Sequence, residues 1–185
     1  MQYVIVGLGG QGILFSSKVL GQVALARDEK VLGSEVHGMA QRGGSVISHF
    51  KIGPYNSPLV RAGEADVLVA FEQGEGFRNL HFLRDGGTLV VNIHQKEALE
   101  NENLKAYLAS RKIKVHAIEG YEILKKTMGG RFLFLNVLIL GALCASGAGG
   151  VTFDEVKEAV ASLSPERFRA DNLKVLALGH EAIKV

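Results

Sequence analysis

The chain has 185 residues, 47% of them hydrophobic and 22% charged, with a formal net charge of +2. That is enough to bury a sizeable core as one domain over residues 1–185, and the even balance excludes a disordered tail and a general polyanion binder, nucleic acid included, leaving small ligands and protein partners. The single cysteine, Cys144, excludes an internal disulfide and any iron–sulfur or cysteine-ligated zinc site built from this chain alone, and fits a reducing cytoplasm.

Residues 2–6 form a continuous apolar run that stops at glycines and has no basic stretch before it, so it reads as a strand rather than a signal peptide. From Gly12 onward, Ile13, Leu14, Val19, Leu20, Val23, Ala24 and Leu25 recur at helical spacing. Lys30-Val31-Leu32 is a candidate second strand, followed by Gly33–Gly38 as loop. In residues 45–53, Val46, Ser48, Phe50 and Ile52 share one side opposite Ser45, Ile47, His49 and Lys51, the pattern of a strand with one wetter face. Residues 66–71, 88–92 and 114–118 are short apolar strands without alternation, as in a parallel sheet covered on both faces. Helical patterns occupy 76–84 and 95–110.

The last third reads as helix. Phe132–Ala145 is the most apolar segment, yet Asn136 and Gly141 interrupt it and it falls short of the roughly 20 residues that cross a membrane, so a buried helix is expected. Ser146-Gly147-Ala148-Gly149-Gly150 closes it. Thr152 and Glu155 then have capping-box spacing, with Val151 and Val156 as the staple, and Ser164-Pro165 opens a further helix with proline at its first position. The expected fold is α/β: a doubly wound, mostly parallel, Rossmann-like sheet with helices on both faces and a helical C-terminal third.

Two motifs carry chemistry. Gly7-Leu8-Gly9-Gly10-Gln11-Gly12 has the G-x-G-x-x-G spacing between strand and helix, where the first glycine permits a tight turn, the second lets a phosphate near the backbone and the third lets helix and strand pack. The acid that would hold a ribose about 20 residues on is missing: Glu35 has the right distance but lies in the Gly33–Gly38 loop. The turn therefore reads as structural, as a site for another anion, or as an NAD(P) or FAD site. The second motif, Glu35 to Ser45, places an acid, an imidazole, an amide, a guanidinium and three glycines in 11 residues. Arg42 with Gly43 and Gly44 can form an anion clamp, the alternative being that Arg42 pairs with Glu35. His37 has no companion nucleophile or metal-ligand spacing, and His49, His81, His94, His116 and His180 are scattered singly. No residue is read as catalytic and no metal set is present. Asn136 is a polar outlier read as a satisfied buried amide.

"GLGGQGI" at 7–13, "SEVHGMAQRGGSVISHFKIG" at 34–53, "ADVLVAFE" at 65–72 and "NVLILGAL" at 136–143 together resemble the gamma subunit or domain of the 2-oxoacid:ferredoxin oxidoreductases. "HGMAQRGG" leans toward the small subunit of the indolepyruvate branch. The resemblance implies one part of an enzyme that oxidatively decarboxylates a 2-oxoacid to an acyl-CoA. Thiamine diphosphate, Mg and iron–sulfur clusters would sit on a large partner subunit, which passes electrons to ferredoxin. The isolated chain would be inactive, with a homodimer left open. It also implies a ligand or interface role, with coenzyme A as the candidate ligand, for Gly9, Gly10, Gln11, Gly12, Arg42, Gly43, Gly44 and Ser45, beside Gly7 at the head of the turn.

Overall fold

The computed structural model describes residues 1–38 and 43–183. Six strands form one mixed sheet: β1 (Gln2–Leu8), β2 (Val31–His37), β3 (Ser45–Ile52), β4 (Ala65–Ala70), β5 (Leu83–Asn92) and β6 (Lys114–Ile118). Their spatial order is β2-β3-β1-β4-β5-β6. β1, β4, β5 and β6 pair in parallel, while β3 runs antiparallel to both β1 and β2. All strands but β3 therefore point the same way. The helices are α1 (Ile13–Ala26), α2 (Gln73–Arg78), α3 (Glu102–Ser110), α4 (Gly120–Met128), α5 (Leu135–Ala145), α6 (Phe153–Leu163) and α7 (Glu166–Ala182).

β1 is sealed on both faces, which is why it lacks alternation: Tyr3, Val4, Ile5 and Val6 are all fully buried. Tyr3, Ile5, Val67 and Val69 face a layer built from α1, α4, α5, α6 and α7, whereas Val4, Val6, Leu68 and Leu89 face Phe77, Leu104, Tyr107 and Leu108 of α2 and α3. Helices thus cover both faces, as expected. β3 is polar in sequence on its second face, but His49 and Lys51 are buried there. His49 accepts from the Val60 N–H at 3.3 Å and meets the edge of Phe82. Burial, then the charge on Lys51, lowers its pKa, so the ring is neutral at neutral pH.

Several elements differ from the sequence expectation. Gly33–His37 is not loop: it continues β2, because its backbone pairs with β3 as far as His37 opposite Val46. An edge strand with one open side needs no apolar run. β5 begins at Leu83, inside the expected 76–84 helix, since the register slips between Ala65–Leu83 and Val67–Thr88 and Gly86 turns at φ 71°. The helical part there is earlier, at α2, followed by a 3-10 turn at Leu80–Phe82. The expected 95–110 helix is split: a 3-10 turn at Lys96–Glu100 precedes α3, whose cap Asn101 accepts from the Leu104 N–H at 3.1 Å. α4 had no counterpart in the sequence reading. The apolar 132–145 segment starts with a 3-10 turn at Phe132–Phe134, and Phe132 and Leu133 are exposed, so only α5 is the buried helix. Pro165 sits at the cap rather than at the first helical position of α7. Among the described residues no helix is long and apolar enough to cross a membrane.

The capping box of α6 is present as read: Thr152 Oγ1 accepts from the Glu155 N–H while Glu155 Oε2 accepts from the Thr152 N–H at 2.8 Å. Arg27, which caps the end of α1, adds a two-pronged ion pair to the same carboxylate, at 2.6 and 2.5 Å. α5 and α7 meet backbone to backbone. A Cβ on Gly141 would fall inside the van der Waals envelope of the Leu176 carbonyl oxygen, and one on Gly179 inside that of Leu138.

Two outcomes follow from this packing. Gly179→Ala should lower unfolding stability by about 3 kcal/mol, measured by urea denaturation, because backbone cannot yield as a side chain does. The bond to Arg27, then those to Thr152, lower the Glu155 pKa from 4.5 to about 2. The unfolded chain thus binds more protons in that interval, and stability present above about pH 4.5 is lost as pH falls toward 2. Glu155→Gln should flatten that part of the acid limb and cost no more than about 1 kcal/mol at neutral pH, since the pair is partly solvated.

Candidate functional site

The antiparallel pairing of β3 with β1 sets Leu8 opposite Ser45. The turn that leaves β1 therefore meets the segment that enters β3, and Gly9 donates its N–H to the Gly44 carbonyl at 2.9 Å. Two glycine motifs more than 30 positions apart in sequence become one site at the carboxyl end of β1, where open α/β sheets bind ligands. A cleft of about 580 Å³ opens there, lined by Leu8, Gly9, Gly10, Gly12, His37 and Val46 among others. Gly10, Gly12 and Gly43 have φ of 98°, 81° and 70°. Among the described residues, no acceptor meets the N–H groups of Gly10 and Gly12 in the turn or of Ile13 and Leu14 in the first turn of α1.

The turn is fixed from beneath by two side-chain amides. Gln11 folds back under it: its Oε1 accepts from the Leu8 N–H at 2.7 Å, and its Nε2 donates to Glu72 Oε1 at 2.7 Å and to the Tyr121 hydroxyl at 3.1 Å. Gly7 makes room for it, since a Cβ there would lie 2.7 Å from Gln11 Oε1 and 3.0 Å from Phe71 Cβ. Asn136, at the start of α5, reaches the Gly12 carbonyl at 3.5 Å, and a Cβ on Gly12 would overlap its Nδ2. The sequence reading of Asn136 as a buried amide with neighbouring backbone partners holds, with the Val137 N–H on its Oδ1 at 2.9 Å. Tyr121 also donates to Glu72 Oε1. Burial, then that bond, raises the phenol's pKa, so it stays a neutral donor at neutral pH.

The second motif divides. Gly43 and Gly44 reach the turn and His37 lines the cleft. Met39, Ala40, Gln41 and Arg42 lie outside the described residues, and with them the Arg42 clamp and its pairing with Glu35. Ser45 sends its hydroxyl away from the cleft side of β3, donating to Glu75 Oε2 of α2 at 2.7 Å. Glu75 is buried and also pairs with Arg78. His37 Nε2 stands 3.9 Å from Glu35 Oε2 at an exposed edge, with no nucleophile beside it among the described residues. No group of three or more metal-ligating side chains exists among the described residues. A mostly apolar groove of about 550 Å³ lies next door, between α1 and β2–β3, lined by Leu14, Leu25, Phe50 and Leu163 with Lys18, Gln22 and Glu35 among its polar members.

The geometry explains the missing ribose acid. In a dinucleotide fold the strand after the first helix lies beside β1, and its carboxyl end supplies that acid. Here β3 takes that place, running the other way. Glu35 sits one strand further out, opposite Ser48.

A family model described as "Pyruvate ferredoxin/flavodoxin oxidoreductase" matches residues 2–182. The chain belongs to this family. Within it, the chain is similar to the indolepyruvate oxidoreductase subunit IorB of Pyrococcus horikoshii, 32% identical over 198 residues covering 98% of this chain and 95% of that one. Among solved structures, the gamma subunit of a keto/oxoacid ferredoxin oxidoreductase from Geobacter sulfurreducens superposes with a TM-score of 0.73 at 26% identity, covering 98% of this chain and 96% of that one. The 2-oxoglutarate:ferredoxin oxidoreductase of Magnetococcus marinus, solved with 2-oxoglutarate, coenzyme A and succinyl-CoA, shares the fold, with a TM-score of 0.66 at 18% identity; 98% of this chain matches 29% of that one. The fold and family expected from the motifs are those observed.

Sequence reasoning passed over Glu72, Glu75 and Tyr121 as functional candidates. A carboxylate just past the apolar run Val67–Phe71, at the carboxyl end of its strand, was the available signal for Glu72. Gly12→Ala should cost about 2 kcal/mol or more in thermal or urea unfolding through its positive φ and its collision with Asn136. Gly9→Ala, whose Cβ would meet nothing closer than 3.7 Å, should stay within about 0.5 kcal/mol of the parent.

Proposed function

We propose that this chain is the small, non-catalytic subunit of a 2-oxoacid:ferredoxin oxidoreductase of the indolepyruvate type, and that its joined glycine motifs hold phosphates of coenzyme A. The observation that carries the reading is the union of the two motifs by the Gly9–Gly44 bond around the open first turn of α1. Backbone N–H groups at a helix N-terminus favour an anion, and Gly9, lacking a Cβ, leaves a phosphate room to approach. Similarity to subunits of indolepyruvate and other oxoacid oxidoreductases supplies the reaction class. A relative solved with coenzyme A and its thioester makes that ligand the natural anion.

In this reading the overall reaction cleaves the bond between the carboxylate and the keto carbon of the 2-oxoacid. Carbon dioxide leaves, the acyl carbon joins the sulfur of coenzyme A with loss of the thiol proton, and two electrons pass to ferredoxin. Thiamine diphosphate and iron–sulfur clusters, held by a larger partner chain, supply the carbanion and electron-transfer chemistry. One cysteine cannot ligate such clusters here, so they belong to the partner. The chain contributes binding and closure, and it works in the cytoplasm, where a free thiol such as Cys144, its pKa pushed up to about 12 by burial, is at rest.

Co-expression with a large thiamine diphosphate- and cluster-bearing subunit of this enzyme class should give a complex active on a 2-oxoacid with ferredoxin, while the chain alone is inactive. In that complex, Gly9→Ala should raise the KM for coenzyme A about tenfold, a loss of about 1.4 kcal/mol, and leave the KM for the 2-oxoacid unchanged. An unchanged KM for coenzyme A removes the site. Saturable micromolar binding of NADH by the isolated chain would instead establish an independent NAD(P)- or FAD-dependent reductase.

A further inference from the structure

We infer that Glu72, at the junction of β4 and α2, is the positioning residue that holds the glycine turn in its ligand-accepting shape, acting through Gln11. This rests on the coenzyme A reading of the turn and adds a residue that neither glycine motif contains.

The argument starts from what the turn lacks. Gly9, Gly10 and Gly12 have no side chains with which to lock the backbone, and two of them adopt positive φ, so a free turn of this composition would lose much conformational entropy on ordering. The Gln11 side chain supplies the lock. Its carbonyl oxygen takes the Leu8 N–H, and its amide nitrogen spends its donors on Glu72 and Tyr121. Glu72 Oε1 receives both Gln11 Nε2 and the Tyr121 hydroxyl, so one carboxylate oxygen gathers the whole arrangement. Hydrogen bonds to a charged acceptor are roughly twice as strong as neutral ones.

Glu72 is itself a fixed post. The fully buried Asn92 braces both neighbours: its Nδ2 donates to the Phe71 carbonyl at 3.1 Å and its Oδ1 accepts from the Gly120 N–H at 2.8 Å. The residues on either side of that brace are Glu72 and Tyr121. Three residues beyond Glu72, Glu75 takes the Ser45 hydroxyl and ties the start of α2 to the start of β3. The β4–α2 junction is therefore bonded to both glycine motifs, by Glu72 to the first and by Glu75 to the second. Correct geometry of the exposed N–H groups is then prepaid before the ligand arrives, which is how preorganised sites gain affinity.

A merely structural role for Glu72 and a positioning role make different kinetic predictions. In the assembled two-subunit enzyme, Glu72→Ala should raise the KM for coenzyme A five- to tenfold while kcat at saturating coenzyme A and the KM for the 2-oxoacid stay within twofold. Glu72→Gln, which keeps an acceptor oxygen for Gln11, should return the KM for coenzyme A to within about threefold of the parent. Tyr121→Phe, which keeps the ring against Phe132 but removes one acceptor from Gln11, should fall between the two, and it carries the test if the alanine variant fails to assemble. If Gly9→Ala raises the KM for coenzyme A and neither the Glu72 variants nor Tyr121→Phe move it, the positioning role is overturned and the coenzyme A site stands. If Gly9→Ala leaves it unmoved as well, the site reading fails and takes this inference with it. A Glu72→Ala enzyme that loses kcat and both KM values together, without rescue by glutamine, also overturns the role.

Discussion

The antiparallel run of β3 between β2 and β1 is the constraint on which the rest depends. A parallel neighbour would have ended beside the end of β1 and brought a further carboxyl-end loop to the turn. A reversed neighbour starts there instead, so the residues just before β3 are delivered to the residues just after β1 with Leu8 facing Ser45. The meeting of the motifs, the cleft over α1 and the outward displacement of β2 with Glu35 are all consequences of that one reversal.

The G-x-G-x-x-G spacing turns out to serve a second purpose here. In a dinucleotide site its glycines are explained by the turn, the phosphate and helix–strand packing. In this chain two of the three are needed for approaches from the protein side: Gly7 admits the folded Gln11 amide and Gly12 admits Asn136. Of the three, Gly9 is the one that no side chain crowds: a Cβ there would meet only the Gly43 nitrogen and the Gly44 carbonyl oxygen, at 3.7 and 3.8 Å. The same spacing can thus arise from different local demands, and the residues beneath the loop decide between them.

What was legible in the sequence was what local chemistry dictates. β1 and β4 announced themselves by apolar runs, β6 more weakly, and the α6 cap by the Thr152–Glu155 pair, because each is stabilised by residues within a few positions. β2 was not legible past Leu32, since Gly33-Ser34-Glu35 becomes strand only through hydrogen bonds to β3. The bulged start of β5 was hidden by its own glycines, and α4 by its shortness. At the site, the glycines and Gln11 could be singled out, as could Asn136, but Glu72 could not be given a role: its bond to Gln11 spans 61 residues, and no periodicity encodes such a distance. Glu35 looked adjacent to the turn by count and lies a strand away, because counting assumes the next strand is the nearest one.

The backbone contact between α5 and α7 bears on how faithfully the floor of the cleft is kept. Helices separated by side chains have a compliant layer that absorbs small shifts by changing rotamers; helices touching at Gly141 and Gly179 have none at that contact. α5 carries Asn136 in its first turn, pressed against Gly12. α7 supplies no lining residue of the cleft, yet it sets the depth at which α5, and so the underside of the turn, can rest. The C-terminal helix behaves as a spacer of fixed thickness, and the tolerance of the glycine turn is machined at the far end of the chain.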